Sequence, residues 1–183
     1  MSSLPTIYVV TGSKHKLASF QRHLRDYDFE MIELDLPEIQ SFSAREIIID
    51  KVERAYAEFG KPVVVEDVAA GIDRLNGLPG PFIKFFEQQL GQGALYQLVG
   101  QQSTAATITS TIGYYDGENL IITKGSVHGM VVAPRGDKGW GFDCCFLPDG
   151  QTKTYGEMEF AEKDAISHRS LSIKALLAKL NQL

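Results

Sequence analysis

Four side chains that donate hydrogen bonds or carry positive charge lie close together near the carboxyl end of the chain. The segment AEKDAISHRS, residues 161–170, contains Lys163, Ser167, His168 and Arg169. One interpretation is a solvated helix start. The other is a binding site for an anionic ligand rich in acceptors, since lysine and arginine donate charge-assisted hydrogen bonds to such groups.

A second group of candidates lies where the first predicted strand meets the first predicted helix. TIYVVTG (residues 6–12) is a β-branched run closed by glycine, and SKHKLASFQRHLRDY (13–27) has apolar residues at helical spacing. The turn between them presents backbone N–H groups at a helix N-terminus, an arrangement that binds phosphate. It matches neither GxxxxGK[ST] nor GxGxxG, so a plain strand–helix turn is the alternative, although Lys14 and Lys16 favour phosphate.

Carboxylates follow two further predicted strands. PVVVED closes on Glu66 and Asp67, and we expect the strand to end there, at the edge where α/β sheets bind ligands. Two neighbouring carboxylates suit Mg²⁺, which prefers oxygen ligands beside phosphate. A helix cap or a solvated strand end is the alternative. Glu38, in DLPEIQ, also lies just after a predicted strand.

Aromatic side chains and a carboxylate share the glycine-rich segment GWGFDCCF. Trp140 and Phe142 could stack on a nucleobase, an interaction worth about 1–3 kcal/mol per base in single-strand binders. A core-facing loop is the alternative, and for Trp140 taken alone it is the favoured one. Cys144 and Cys145 are adjacent, which suits neither a disulfide framework nor a zinc half-site, so two reduced, buried thiols are expected.

The remaining pattern predicts the elements that position these residues. SAREIIIDKVERAYAEFG is an amphipathic helix, with Ser43 as cap, Glu46 at the capping-box position and Gly60 as stop signal. Residues 103–132 alternate and contain the turn YDGE, which predicts an antiparallel hairpin. A final helix is predicted from about 164 to 180. Strands that alternate with helices, followed by a hairpin, predict a mixed sheet flanked by helices.

Bulk composition narrows the function classes. With 183 residues, 44% hydrophobic and 22% charged, the chain suits one globular domain. The net charge of −5 provides no positive field for DNA or RNA, so any phosphate site must be local and a small nucleotide is favoured over a polymer. No bilayer-length apolar run or secretion signal is evident, so a cytoplasmic protein without membrane attachment is expected.

Several segments together resemble the inosine triphosphate pyrophosphatase family, also called the Ham1 family. They are VTGSKHKL, DLPEIQ, VVVEDV, GLPGPFIKFF, VAPRG…GWGFDCCFLPDG and TYGEMEFAEKDAISHR. They occur in family order and extend over nearly the whole chain. The resemblance implies one domain, residues 1–183, with an elongated α/β fold of two lobes around a central cleft, assembled as a homodimer.

The resemblance also implies a reaction. It is the Mg²⁺-dependent hydrolysis of ITP, dITP or XTP between the α- and β-phosphates, giving the monophosphate and pyrophosphate and so sanitising the nucleotide pool. Mn²⁺ is the alternative ion. Asp67 and Lys16 would be catalytic, with Asp67 as the base for the attacking water, and Glu38 and Asp67 would bind the metal.

Further residues are implied by the resemblance as substrate contacts. They are Thr11, Gly12, Ser13, Lys14, His15 and Lys16 in a phosphate loop; Lys51, Asp67, Val68 and Lys84 along the triphosphate; and Trp140, Gly141, Phe142, Asp143, Lys163, His168 and Arg169 around the base. His168, Arg169 and nearby backbone N–H groups would donate hydrogen bonds to the 6-keto oxygen of hypoxanthine or xanthine and leave adenine mispaired. Such hydrogen bonds can discriminate by about 10⁴ in favourable cases.

Four positions depart from the commoner family pattern. Ser13 stands where asparagine is usual, Val68 where threonine or serine is usual, Phe142 where tyrosine or tryptophan is usual, and Cys144 where proline is usual. None of these changes removes a charged group, so an active enzyme is expected.

Three other functions were compared with this one. A pyrophosphatase for a different base, such as a modified pyrimidine, differs only in substrate. A sensor that binds ITP without turnover has no need of Glu38, Asp67 and Lys16 together. A scaffold protein leaves the polar clusters at the predicted strand ends unexplained.

Overall fold

The structure, a computed structural model, describes residues 6–183. The strands are β1 (Thr6–Val10), β2 (Asp28–Ile32), β3 (Val63–Ile72), β4 (Leu78–Gly80), β5 (Thr104–Tyr115), β6 (Leu120–Val131) and β7 (Phe146–Pro148). The helices are α1 (Lys14–His23), α2 (Ala44–Phe59), α3 (Ile83–Leu90), α4 (Ala94–Leu98), α5 (Phe160–Ile166) and α6 (His168–Leu180). Short 3-10 turns cover Asp73–Leu75, Gly141–Cys145 and Tyr155–Glu157.

The strands form one seven-stranded mixed sheet. Its order is β2-β1-β3-β5-β6-β7, and β4 pairs with β3 off this path. β1 runs parallel to β2 and β3, whereas β4 is antiparallel to β3 and β7 is antiparallel to β6. The predicted fold class, a mixed sheet flanked by helices, is confirmed.

The chain divides into two compact units. Unit 1 comprises the chain up to Asp67 together with Ser110–Gly125 and Arg169–Leu183, and unit 2 comprises Val68–Thr109 and Ser126–His168. In unit 1, apolar residues of α1 and α6 pack on one face of β3, and α2 packs on the other. The core of unit 2 is built around Phe146 and Tyr155, both completely buried.

The predicted limits of α2 are confirmed, with one change at its start. The Ser43 hydroxyl accepts from the backbone N–H of Glu46 at 3.3 Å, and Gly60 ends the helix with a φ of +70°. The Glu46 carboxylate, however, accepts from the Ser41 hydroxyl at 2.8 Å. Only the Ser43 half of the capping box therefore forms, because the Glu46 carboxylate is hydrogen-bonded to Ser41 instead.

Two predicted boundaries are wrong. β3 does not end at Asp67 but continues to Ile72, because its second half pairs with β4. The predicted final helix is two helices, α5 and α6, which are separated at Ser167, where the backbone is extended with a ψ of 155°.

Candidate functional site

A buried carboxylate in unit 1 holds two of the predicted site cations. Glu66 Oε1 lies 2.8 Å from Nε of Arg169, and Glu66 Oε2 lies 3.0 Å from the same nitrogen and 3.3 Å from Nζ of Lys16. Only 1% of the Glu66 side chain is exposed, against 23% for Lys16 and 15% for Arg169. The cations thus lie at the surface end of an ion pair whose anion is inside.

The charge of Glu66 is stabilised by its surroundings. The hydroxyl of Ser110 donates to Glu66 Oε1 at 2.8 Å and lies 2.8 Å from the hydroxyl of Ser172. Burial alone would raise the pKa of Glu66, but Arg169, Lys16 and Ser110 outweigh it and lower the pKa to about 2. Glu66 is therefore ionised at neutral pH and holds both cations in place.

The sheet register explains why Lys16 reaches Glu66. β1 and β3 are parallel, with Val9 opposite Val64, so the turn after β1 continues alongside Glu66. In that turn the Ser13 side chain accepts from the Lys16 backbone N–H at 3.4 Å and caps α1. The predicted phosphate loop, 11–16, therefore lies at a helix N-terminus as expected, and serine serves as cap where the family more often has asparagine.

A second ion pair lies among the predicted residues of unit 1. Lys51 Nζ, on α2, lies 2.6 Å from Glu38 Oε2. Asp67 alternates with Glu66 along β3 and so projects from the opposite face, the face on which α2 packs. Glu66 and Asp67 therefore cannot act as one pair of metal ligands, as their spacing had suggested.

In unit 2, the predicted aromatic turn is organised around Asp143. Its carboxylate accepts from the Trp140 backbone N–H at 3.0 Å and lies 2.5 Å from Lys163 Nζ. Asp143 and Phe142 are buried, whereas Trp140 is 67% exposed. The turn thus presents one aromatic ring to solvent and anchors its carboxylate inside.

Lys163 and His168 both lie against Tyr155. The Lys163 ammonium is 5.1 Å from the ring centroid of Tyr155. His168 is buried, and its ring centroid is 6.1 Å from that of Phe142 and 6.0 Å from that of Tyr155. The structure thus brings together four predicted residues, Phe142, Asp143, Lys163 and His168, and adds Tyr155.

Lys84 lies in unit 2 beside the aromatic turn. It lines a hollow of about 250 Å³ together with Glu87, Gln88, Gly91, Gln92, Trp140 and Gly141. Val68, also in unit 2, packs against the core of that unit. Lys84 is thus grouped with the predicted base-binding residues, whereas Lys16 and Lys51 belong to unit 1.

Several contributors were missed in the sequence. Ser110 is 44 positions from Glu66, and Ser172 is 62 positions from Ser110, so no local motif connects them. Tyr155 lies in a segment that carries the family resemblance, but nothing in its spacing marks it. Cys144 and Cys145 are free and buried, as predicted, and burial raises the pKa of each thiol.

The predicted Mg²⁺ site would rest on few carboxylates. Within residues 6–183 no group of three or more His, Cys, Asp or Glu side chains could hold a metal ion. Mg²⁺ is commonly held by only one or two carboxylates together with substrate phosphates. The chemistry of Glu38 and Asp67 fits that smaller donor set.

Known proteins resemble this chain over nearly its full length. The model of the Ham1 family matches residues 7–179. The inosine triphosphate pyrophosphatase of Schizosaccharomyces pombe is 38% identical, covering 96% of this chain and 95% of the relative; that of Emericella nidulans is 39% identical, covering 98% and 96%. The structure of the Staphylococcus aureus Ham1 protein has the same fold, with a TM-score of 0.83 at 24% identity over 97% of this chain and 98% of its own.

Among residues 6–183, none of the helices has the length and apolar character that crossing a bilayer requires.

Proposed function

Since the chain belongs to the Ham1 family, we propose that it is a nucleoside-triphosphate pyrophosphatase acting on non-standard purine nucleotides. ITP, dITP and XTP are hydrolysed between the α- and β-phosphates to the monophosphate and pyrophosphate. The observation that carries the proposal is the match to proteins named inosine triphosphate pyrophosphatase, at 36–39% identity over at least 93% of this chain. All predicted site residues lie within the family match.

The phosphate chain is bound by unit 1 in this proposal. The turn 11–16 offers backbone N–H groups at the start of α1, and Lys16 adds a positive charge. Glu66 restrains the Lys16 ammonium from behind, so less side-chain freedom is lost when the nucleotide binds. Preorganised positive charge is what the transfer of a phosphoryl group needs, because negative charge builds up on its oxygens.

Asp67 is the proposed base. A carboxylate within hydrogen-bond reach of the attacking water orients it and takes its proton as the new P–O bond forms and the bond to the pyrophosphate leaving group breaks. Asp67 and Glu38 would hold Mg²⁺, or Mn²⁺ as the alternative. The ion, when bound, neutralises phosphate charge. Lys51 lies beside Glu38 and limits the net negative charge of that pair.

Recognition of the base is assigned to the aromatic cluster of unit 2, and Arg169 of unit 1 carries donors that suit a 6-keto oxygen. Both hydrogen bonds from Arg169 to Glu66 use Nε, so they do not occupy the terminal Nη groups, which can donate to a 6-keto oxygen. The 6-amino group of adenine is itself a donor and would face these donors without an acceptor. Discrimination against ATP follows.

A substrate panel tests the proposal. Pyrophosphate release is measured with Mg²⁺ from ITP, XTP, dITP, ATP, GTP and dTTP in parallel. Rapid release from the first three and little from the others is expected. Release of orthophosphate, or equal use of all purines, would contradict it, and a preference for a pyrimidine would point to a related pyrophosphatase.

Asp67→Asn tests the assignment of the base. Loss of a general base costs roughly 10²–10⁴-fold in rate, so kcat should fall by that factor while the protein stays folded. The matched control is Glu53→Gln, which removes an exposed carboxylate from α2 and should leave kcat unchanged. Unchanged kcat in Asp67→Asn would exclude it as the base.

The remaining parts of the proposal concern the state of the protein in the cell. We propose a cytoplasmic homodimer that forms one domain per chain and takes small nucleotides rather than nucleic acid or a membrane as partners. The net charge of −5 supports the exclusion of polyanionic partners.

A further inference from the structure

Glu87 lies directly behind the aromatic turn Trp140–Asp143, and the proposed function does not use it. It belongs to α3, and its carboxyl group packs against the backbone of Gly141, which has a φ of +64°. A Cβ atom on Gly141 would collide with that carboxyl group. The position of the turn and the position of the Glu87 side chain therefore depend on each other.

The environment of Glu87 favours its neutral form. Burial raises the pKa of Glu87 to about 7, the backbone N–H of Phe142 offsets part of this, and the nearby charge of Asp143 adds to it. The Oε1 atom is buried and has no hydrogen-bond partner within the described residues 6–183. Glu87 therefore changes charge near neutral pH.

The groups around Glu87 determine where an ionised carboxylate can move. Asp143 and the thiols of Cys144 and Cys145 lie on the side of the turn and carry no positive charge. The Lys163 ammonium is already paired with Asp143. On the other side is the hollow of about 250 Å³, and Lys84 and Trp140 are also in its lining. Lys84 and Glu87 are three positions apart on one helix and so share a face.

We propose that Glu87 is a positioning residue for the aromatic turn: its neutral carboxyl group holds Trp140–Asp143 in the packed form, and its ionisation releases the turn towards the hollow. The sign follows from linkage. A turn that buries Glu87 binds the proton more tightly than one that leaves it solvated. The packed form is therefore fully favoured below about pH 4.5, the ordinary pKa of Glu87, and declines as the pH rises from there through about 7.

The first test needs no substrate. Trp140 is the only tryptophan of the chain, so intrinsic fluorescence reports on the turn itself. We expect the fluorescence of the full chain to change as the pH rises from about 4.5 through about 7, with a midpoint between the ordinary and the raised pKa of Glu87. In Glu87→Gln, which is neutral and of the same shape, the signal should stay at its low-pH value throughout.

Controls separate Glu87 from its neighbours. His168 packs against Phe142, so it is the main alternative source of a change in the turn, and it is unchanged in Glu87→Gln. A transition that persists in Glu87→Gln would overturn the inference. Glu53→Gln should retain the transition, and Glu87→Leu provides a second neutral variant should Glu87→Gln not fold.

The second test links the turn to substrate binding, and this part rests on the proposed function. The KM for ITP in the wild-type protein should rise with pH across the same range, by at most about tenfold for each pKa unit that separates the two forms of the turn. In Glu87→Gln the KM should stay low relative to the wild type, and kcat should be similar in both. A fluorescence transition without a change in KM would overturn the role of the turn in binding the base, whereas an absent transition would overturn the role of Glu87 and leave the proposed reaction intact.

Discussion

The surroundings of Glu66 strongly lower the pKa of this buried carboxylate. It is an acid inside a β-branched strand, and it is tolerated there because Lys16 and Arg169 reach it from two different helices. A buried charge without partners would be neutralised instead. The free-energy cost of burying its charge is offset only if both cations stay in place. The positions of Lys16 and Arg169, two predicted substrate contacts, therefore contribute to the stability of the fold.

Glu66→Gln tests this link through stability and activity together. The pKa of Glu66 is about 2 in the folded protein and near 4.5 when unfolded, so the ionised group stabilises the fold above about pH 4.5. That stabilisation, about 3 kcal/mol, is lost as the pH falls towards 2. In urea unfolding, the free energy of unfolding of the wild type should therefore fall between about pH 4.5 and 2, and this fall should be smaller in Glu66→Gln.

Activity at neutral pH should fall as well. A neutral amide cannot hold two cations, so we expect kcat/KM for ITP to drop at least about tenfold, which corresponds to about 1.4 kcal/mol. Glu53→Gln, on the exposed face of α2, should match the wild type in both assays. If Glu66→Gln behaves like that control, the ion pairs contribute to neither folding nor catalysis.

At the scale of elements, α2 is pressed closely against the sheet of unit 1. Gly113 of β5 lies under this helix, and a Cβ atom there would come within 2.6 Å of Ile48 Cγ2 and 3.4 Å of Val52 Cβ. The absence of a side chain at residue 113 therefore determines how near α2 lies to β5. Lys51 is carried by the same turn of α2, so the helix position also places one of the predicted substrate contacts.

Gly113→Ala should push α2 away from β5. Overpacking of this kind typically costs about 1–3 kcal/mol, which thermal unfolding measures as a lower Tm. Ile48→Ala removes the methyl group that the new side chain would meet. The double variant should therefore be more stable than the sum of the two single changes predicts. Strict additivity would mean that Gly113 and Ile48 do not limit the approach of the helix.

At the scale of the whole molecule, the predicted site residues are divided between two compact units. Lys16, Glu38, Lys51, Asp67 and Arg169 belong to unit 1, whereas Val68, Lys84, Trp140–Asp143, Lys163 and His168 belong to unit 2. The boundary between the two units falls between Asp67 and Val68, and again between His168 and Arg169. Each unit has its own buried core, so each set of residues is positioned by separate packing.

The proposed homodimer is the prediction that belongs to this scale. Light scattering of the purified chain at neutral pH should give a mass twice the 20.2 kDa of one chain, because the resemblance to the Ham1 family implies two copies. The mass should stay the same on dilution through the micromolar range if the interface has the size of a stable one, about 1,200–2,000 Å². A mass of 20.2 kDa would show that the dimer prediction is wrong.

Much of the local structure around the predicted site could be anticipated because its signals are local. A β-branched run, a short turn and an amphipathic helix occupy consecutive residues, so the turn 11–16 and its position at the start of α1 were predicted from the pattern. The caps of α2 at Ser43 and Gly60 were predicted for the same reason. The pairing of Lys51 with Glu38 was not local, and only the family resemblance grouped them.

Other features were decided by contacts between distant segments. Two adjacent acids in an apolar run indicated a strand end, but β3 continues because β4 pairs with its second half. Ser167 interrupts a segment whose composition predicts one helix. In both cases a tertiary contact or a backbone conformation overrides the local pattern.

By itself, the amino-acid sequence determined the mixed strand–helix class, the family and the residue types available for chemistry, because each of these depends on neighbouring residues or on the succession of motifs. Only the tertiary structure decided that Glu66 and Asp67 face opposite ways, that Glu66 anchors Lys16 and Arg169, and that Glu87 lies under Gly141. The physical reason is that burial and pairing set the charge state of a carboxylate. Its partners come from segments whose proximity no local pattern encodes.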